Sequence, residues 1–332
     1  MLRIGIDTGG TFTDFVVLDG DQLTVFKLPS TPVEPEKAVL EGLGRLTEGR
    51  EGYALQHGST VATNAFLERK GARCLLVTNQ GFEDILEIGR QNRPGLYKLG
   101  SSRPEPLVPE RYRIGIKERT LWDGSSWVPL ENKSLDWLKT KVQQLRPEAI
   151  AVVLLYSYLN PDNEVRIGEA LAEFSVPIAL SHKILPEFRE FERTSTTVLN
   201  AYVQPIMARY LSALRSSESV QRGSLTIMQS NGGSISSESA EREPVRTLFS
   251  GPAGGVVGAF EVARTAGFDK IITLDMGGTS TDVCLCDGRI ETTNECVIDH
   301  HPVSIQTIGI HSVGAGGGSI AWIDDGGLLK VG

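Results

Sequence analysis

Residues 7–20 read DTGGTFTDFVVLDG, and residues 275–288 read DMGGTSTDVCLCDG. Eight of the fourteen positions are identical, at an offset of 268 residues. Each copy follows an apolar strand ending in aspartate, Ile4-Gly5-Ile6-Asp7 in one and Ile272-Thr273-Leu274-Asp275 in the other. Each is followed by apolar residues suited to a returning strand. Self-similarity of this kind obliges the chain to build the same strand–tight turn–strand hairpin twice.

The chemistry of such a hairpin is specific. Two glycines let the turn backbone approach an anion without a Cβ in the way. Successive N–H groups then point into one concavity. Gly9, Gly10, Thr11 and Thr13 in the first copy are therefore candidate phosphate contacts, as are Gly277, Gly278, Thr279 and Thr281 in the second. Asp7 and Asp275, at strand ends, are the candidate catalytic pair and suit Mg²⁺ held through its water shell. Two such hairpins facing each other would clamp a triphosphate from both sides.

Between the copies, strand and helix signals alternate. Strands are expected at Leu2–Asp7, Thr13–Leu18 and Gln22–Leu28, with Asp19-Gly20-Asp21 as a hairpin turn. Further strands are expected at Tyr53–Gln56, Cys74–Thr78, Ala149–Tyr156, Pro177–Leu180, Leu225–Gln229 and Lys270–Asp275. Helices are expected from Pro35, from the His57-Gly58-Ser59-Thr60 strand end to Lys70, and over Leu135–Leu145 and Asn163–Phe174. A long one follows over Glu190–Ser216, bent or broken at Pro205, and a small-residue helix over Ala253–Ala266. Arg90–Pro109, with four prolines, reads as an exposed loop. The alternation indicates an α/β protein with parallel or mixed sheets.

The remaining composition excludes more than it assigns. The chain has 332 residues and a net charge of −8, which argues against nucleic acid or an anionic membrane as partner. Cys74, Cys284, Cys286 and Cys296 form no Cys-x-x-Cys pair, and Cys284 and Cys286 read as small apolar fillers on one strand face. No apolar run is long enough to span a membrane, and no secretory leader is expected. A reducing, cytoplasmic setting is the expectation.

Other candidates have two readings each. His57, Ser59, Thr60 and Asn64 lie at a strand end, where open α/β sheets bind ligands; Ser59 or Thr60 also suits a helix cap. Asn231-Gly232-Gly233 is a similar, weaker loop. Gly316, Gly317 and Gly318, within Gly314–Ser319, suit either a substrate or nucleotide contact or a close-packed turn; the stretch fails the G-x-G-x-x-G pattern. Neither a dinucleotide fold nor a Walker-type loop is indicated. His300, His301 and His311 with Asp299 form the histidine cluster, but adjacent histidines on a strand point to opposite faces. Arg189, Glu190, Glu192 and Arg193 read as a solvated helix face. Arg90, Arg93 and Tyr97 are candidates to face an interdomain cleft.

The two glycine hairpins resemble the phosphate loops of the actin, sugar-kinase and Hsp70 superfamily. The small-residue helix Ser250–Ala259, just before the second loop, resembles its interdomain helix. Hsp70-type proteins carry a Glu before the helix proline; Gly251 stands there in this chain, so no catalytic carboxylate is carried over. Within the superfamily, seven stretches resemble the hydantoinase A / 5-oxoprolinase family. They are IGIDTGGTFTD (4–14), HGSTVATNAFLERKGA (57–72), GFEDILEIGRQNRPGLY (81–97), LPEFREFERTSTTVLNAYV (185–203), SGPAGGVVGA (250–259), DMGGTSTDV (275–283) and HSVGAGGGSIAWID (311–324).

The resemblance implies an actin-like ATPase (ribonuclease H-like) α/β fold with mixed sheets, flanking helices and an incomplete second domain. The expected division is an N-terminal domain at 1–250 and the connecting helix with the start of the second domain at 251–332. It implies ATP and Mg²⁺ as cofactors and a small cyclic amide, a hydantoin or 5-oxoproline, as substrate, opened by phosphorylation of its carbonyl oxygen. It also implies a hydantoinase B-type partner in a hetero-oligomer. Acetone or acetophenone carboxylase-like chemistry and a non-catalytic shortened fragment are the alternatives. Family members run well past this length, so the chain is expected to be an N-terminal portion of a longer polypeptide, a split subunit or a shortened gene product. Asp14 and Asp282 are further carboxylates able to position an attacking group or brace their own loops.

Overall fold

The computed structural model describes residues 2–92, 105–278 and 280–331. Its first sheet grows out of the first repeat. Strand β1 (Arg3–Thr8) turns back into β2 (Phe12–Asp19), which turns at Gly20 (φ +62°) into β3 (Gln22–Pro29). The chain crosses through helix α1 (Glu36–Thr47) to β4 (Tyr53–Ser59), which lies parallel to β1 on its other side. Alternating burial along β1 and β2 puts Ile4, Ile6, Phe15 and Val17 into the core.

Helix α2 (Val61–Leu67) leads into a second, four-stranded sheet. Its strands are β5 (Cys74–Asn79), β6 (Arg113–Ile116), β7 (Ala149–Val153) and β8 (Ile178–Leu180), all parallel, in the order β8-β7-β5-β6. Parallel strands are buried on both faces, which is why AIAVV at 149–153 reads as a continuous apolar run. Leu75, Val77, Ile150 and Val152 pack on helices α3 (Asn132–Leu145) and α4 (Asp162–Leu171). Leu76, Ala149, Ala151 and Val153 face the main core. Strand β7 stops three residues short of the expected Tyr156, which takes a left-handed conformation (φ +58°).

Between the two sheets runs helix α5 (Glu190–Arg215), unbroken, with Pro205 inside it. The chain then returns to the first sheet as β9 (Gly223–Met228), parallel to β4, and β10 (Ser234–Ser236). The first sheet thus has the order β10-β9-β4-β1-β2-β3. Helix α6 (Ser250–Thr265) leads to the second repeat, β11 (Lys270–Met276) and β12 (Thr281–Asp287), joined by β13 (His311–Val313). This sheet has the order β11-β12-β13. Cys284 and Cys286 face its interior, against Ala253, Val256 and Phe260 of α6. Its outer side exposes Ile272, Leu274, Met276 and Leu285, each 60% or more accessible. Among the described residues, no strand pairs with the free edge of β11, and no helix is long and apolar enough to cross a membrane.

His57 is sealed in the core of the first sheet. Its Nδ1 lies 3.3 Å from the Ile6 carbonyl, which can only accept, so Nδ1 carries the proton. Nε2 then accepts the Tyr210 hydroxyl proton at 2.6 Å, tying α5 to the sheet. Burial pushes the His57 pKa down to about 4. The folded protein keeps this ring neutral while the unfolded chain protonates it near 6.5. His57 therefore withdraws stability as pH falls from about 6.5 toward 4, by about 3 kcal/mol in all. Urea titrations at pH 7 and pH 4.5 should show that loss, and His57→Gln should flatten it. Close packing is equally testable at Gly42, where an added Cβ would sit 2.1 Å from the Phe15 ring. Gly42→Ala should lower stability by about 1–3 kcal/mol, read by the same denaturation.

Candidate phosphate-binding cleft

The two hairpins are congruent in detail. Asp7 lies directly opposite Asp14 across β1 and β2, and Asp275 directly opposite Asp282 across β11 and β12. The turns close alike: Gly9 N–H donates to the Phe12 carbonyl at 3.0 Å, and Gly277 N–H to the Ser280 carbonyl at 2.9 Å. A Cβ on Gly10 or Gly278 would meet no atom within 4 Å, so both turn tips border open space.

Like charges directly opposite each other across strands repel. The Asp7 carboxyl is accordingly held above the usual carboxylate range. Partial removal from water contributes most, then the Asp14 charge, then that of Asp275. The last contribution couples the two repeats electrostatically, although 268 residues separate them. Asp14 also has a cation beside it, Lys27 Nζ at 3.3 Å.

Two glycines make room for Asp7. A Cβ on Gly58 would sit 3.1 Å from Asp7 Oδ1, and one on Gly251 would sit 3.5 Å from it. Gly251 opens helix α6, whose first-turn N–H groups have no side-chain cap. The helix start is held to the end of β4: Ser250 Oγ lies 3.4 Å from both the Ser59 N–H and the Ser59 carbonyl, and Phe249 N–H donates to Thr63 Oγ1 at 3.1 Å. The positive end of a sixteen-residue helix therefore points toward Asp7 and the cleft beside it.

Each loop is braced from its third strand. After β3, Ser30 N–H donates to the Thr11 carbonyl (2.9 Å) and its hydroxyl to the Gly9 carbonyl (2.8 Å), while Thr13 Oγ1 lies 3.1 Å from Ser30 Oγ. After β13, Gly317 and Gly318 donate their N–H groups to the Gly277 and Gly278 carbonyls (2.9 and 2.8 Å), and Thr281 Oγ1 donates to the Ala315 carbonyl (2.6 Å). Thr13 and Thr281 are thus turned inward and buried, as braces. Gly9, Gly10, Thr11, Gly277 and Gly278 line the accessible side. Glycine is required at 318, where a Cβ would lie 2.9 Å from the Gly278 carbonyl. Gly317 and Gly318 make this backbone pairing, whereas Gly316 N–H donates to Ser319 Oγ at 3.0 Å. Sequence reasoning left the role of this stretch undecided because backbone-to-backbone bonds leave no side-chain signal. Thr279 lies outside the described residues, as do Arg93 and Tyr97.

The other candidates divide. Ser59 Oγ accepts the Val61 N–H at 3.2 Å, so it caps α2 locally. The Thr60 hydroxyl donates instead to the Thr8 carbonyl at 2.9 Å, with Asn64 Nδ2 3.3 Å from it. Neither His57 nor Ser59 reaches solvent. Asp299 and His300 form a left-handed turn (φ +44° and +67°) between two short strands, rather than lying along one. Among the described residues, no three His, Cys, Asp or Glu side chains converge to ligate a metal ion. Arg193, expected on a solvated helix face, is fully buried and donates to the Glu187 and Leu154 carbonyls at 2.8 and 2.6 Å. Leu154 directly follows β7, and Glu187 lies in the segment that leads into α5, so the start of the helix is closed by its own lead-in and by the carboxyl end of β7. Arg90 makes a two-pronged pair with Glu192 (2.8 and 2.6 Å), which joins the segment after β5 to α5.

Comparison with known proteins places this geometry in a family. The chain is 34% identical to the caprolactamase alpha subunit of Pseudomonas jessenii over 99% of its own length and 50% of that protein's. The crystal structure of that ATP-dependent caprolactamase superposes with a TM-score of 0.88 at 33% identity, covering 99% of this chain and 50% of that one. A nucleotide-free structure of acetone carboxylase gives 0.85 at 30% identity, again over 99% and 50%. A 5-oxoprolinase of Dictyostelium discoideum is 32% identical over all of this chain and 30% of its own. The chain thus spans about half or less of the relatives it matches, and shares their mixed α/β fold. The family model for the hydantoinase/oxoprolinase N-terminal region matches residues 3–175 and that for hydantoinase/oxoprolinase matches residues 193–332, so the chain belongs to the hydantoinase/oxoprolinase family.

Proposed function

We propose that this chain supplies the ATP-handling part of an enzyme that opens a small cyclic amide, a hydantoin or a lactam, by phosphorylating its carbonyl oxygen. The observation that carries the reading is the congruence of two glycine hairpins, each with two aspartates opposite each other beside its turn, with the Asp275 charge helping to hold the Asp7 pKa up. An unstrained lactam is a poor electrophile. Transfer of the γ-phosphoryl group to its carbonyl oxygen releases ADP and turns that oxygen into a leaving group. Water then adds to the ring carbon and the C–N bond opens to an acyl phosphate, which a second water cleaves to the carboxylate and phosphate. The balance is lactam, ATP and two waters to amino acid, ADP and phosphate.

The protein's task in such a transfer is positioning and charge stabilisation. Backbone N–H groups of Gly9, Gly10, Gly277 and Gly278 would hold phosphate oxygens from two sides, with the Thr11 hydroxyl beside them. The start of α6 adds its dipole. The residues fit a magnesium ion: Asp7 and Asp275 are like-charged neighbours, and the absence of direct ligand convergence among the described residues suits an ion that keeps its waters. Bound there, magnesium would shield the charge of the phosphates.

The proposal includes a division at residues 250 and 251 and a hydantoinase B-type partner or further segment. The apolar outer face of the second sheet supports such a cover. The subunit names of the caprolactamase relative support a multi-chain assembly. Acetone carboxylase likeness supports a second reading, in which the activated carbonyl belongs to a ketone that reacts with bicarbonate. Phosphate release stimulated by lactam, against release stimulated by ketone plus bicarbonate, separates the two.

In the assembled enzyme, Asp7→Asn and Asp275→Asn should each lower Mg-ATP turnover by at least about a hundredfold. Unchanged turnover in both variants would remove the basis for the clamp. A stability measurement gives an independent check. Because the Asp7 pKa is raised in the fold, its ionised form costs the folded state stability at neutral pH, and that cost vanishes once pH falls below the ordinary carboxylate range. Asp7→Asn should therefore raise Tm at pH 7 without nucleotide, and the gain should disappear near pH 3.

A further inference from the structure

A cavity of about 330 Å³ lies against the second repeat and the start of helix α6. Asp282, directly opposite Asp275 in the hairpin, forms one side of it. Pro252 forms another, next to Gly251, which borders Asp7. The cavity therefore opens beside the two aspartates of the clamp. Phe249, Val297 and Ile308 give it an apolar wall; Thr293 and Thr307 also line it, their hydroxyls bonded to the backbone of Glu295 and Thr293. Its volume falls within the range of small-molecule sites, about 300–1,000 Å³.

The charge of the lining is one-sided. Among the described residues, Asp282 and Glu295 are the charged groups that line it, beside the Cys296 thiol, and no lysine, arginine or histidine does. The cation nearest Glu295 is Arg189, which lies outside the cavity and pairs with that carboxylate at 3.6 Å. A ligand carboxylate placed here would face Asp282 with no positive partner, and an unpaired charge taken out of water is costly. An uncharged amide meets no such repulsion and finds an apolar wall for its methylenes.

We infer that this cavity is the acyl-substrate site and that it selects uncharged cyclic amides over those bearing a carboxylate. The inference rests on the clamp reading above, because it places the amide carbonyl at the phosphoryl-transfer end of the cavity. Selection follows from repulsion at Asp282 and the lack of a lining cation.

The test uses two ligands with the same five-membered lactam ring, 2-pyrrolidone and 5-oxoproline, which differ by one carboxylate. Saturation-transfer NMR on the full chain should show 2-pyrrolidone binding at least tenfold tighter than 5-oxoproline. Val297→Trp, at a residue 70% exposed, fills the cavity from its rim and should abolish 2-pyrrolidone binding. Thr293→Lys adds the missing cation and should invert the preference. Equal or tighter binding of 5-oxoproline by the wild type overturns the selectivity. Lactam binding indifferent to both substitutions, or no lactam binding at all, overturns the site. Mg-ATP titrated into the same wild-type sample reports on the clamp separately: nucleotide binding without lactam binding sinks this inference alone, and lactam binding without nucleotide sinks the clamp.

Discussion

The electrostatic problem at the centre of this molecule is that each hairpin sets two aspartates directly opposite each other, and the charge of Asp275 on the second hairpin adds to the repulsion at Asp7 on the first. Nothing in the packing relieves that repulsion fully. Lys27 stands beside Asp14, but Asp7 keeps a raised pKa. Sites where environment pushes a titratable group away from its ordinary value are where function is stored. A polyanion with its cations, held on backbone N–H groups, fits the repulsion as a demand for positive charge. The geometry around Asp7 is consistent with that demand: Gly58 and Gly251 leave space at its carboxylate, and a helix start faces it.

A loop of glycines able to meet phosphate is floppy unless something fixes its backbone. Both loops are fixed from the third strand, by different means. In the first, one serine uses its N–H and hydroxyl to hold two loop carbonyls. In the second, two glycine N–H groups do the same work, backbone against backbone. Thr13 and Thr281 serve as matching anchors. The repeat therefore extends beyond the fourteen residues where identity is visible, into a structural equivalence between Ser30 and the 315–318 turn that shares no sequence.

That asymmetry marks what can be read from a sequence. The hairpins, their facing aspartates and most strands were legible because period and glycine pairs signal them locally. The turned-in hydroxyls were not. A threonine three residues past a glycine pair has the right type for phosphate, and only the third strand decides which way it points. His57 followed the same pattern: a strand-end histidine suits a ligand site, yet Tyr210, 153 residues away, claims its free nitrogen. Arg193 was misread because helical charge at a helix start usually meets solvent. Here Leu154, just past β7, and Glu187, just before α5, present carbonyls to it instead. Long-range partners, absent from local pattern, account for each of these differences.

The two copies of the hairpin also differ in support. In the first sheet β1 is flanked by β2 and β4, and its apolar residues are buried. In the second, β11 has a partner on one side among the described residues, and Ile272, Leu274 and Met276 face outward. An aspartate at the end of a strand is only as well placed as that strand. Asp7 inherits its position from a six-stranded sheet, whereas Asp275 inherits its own from a hairpin held by α6, β13 and the glycine turn. The rigidity of a two-sided clamp is set by its weaker side. Any element that pairs with the β11 edge or covers its apolar face would therefore act on the proposed phosphate site, by fixing where Asp275 stands.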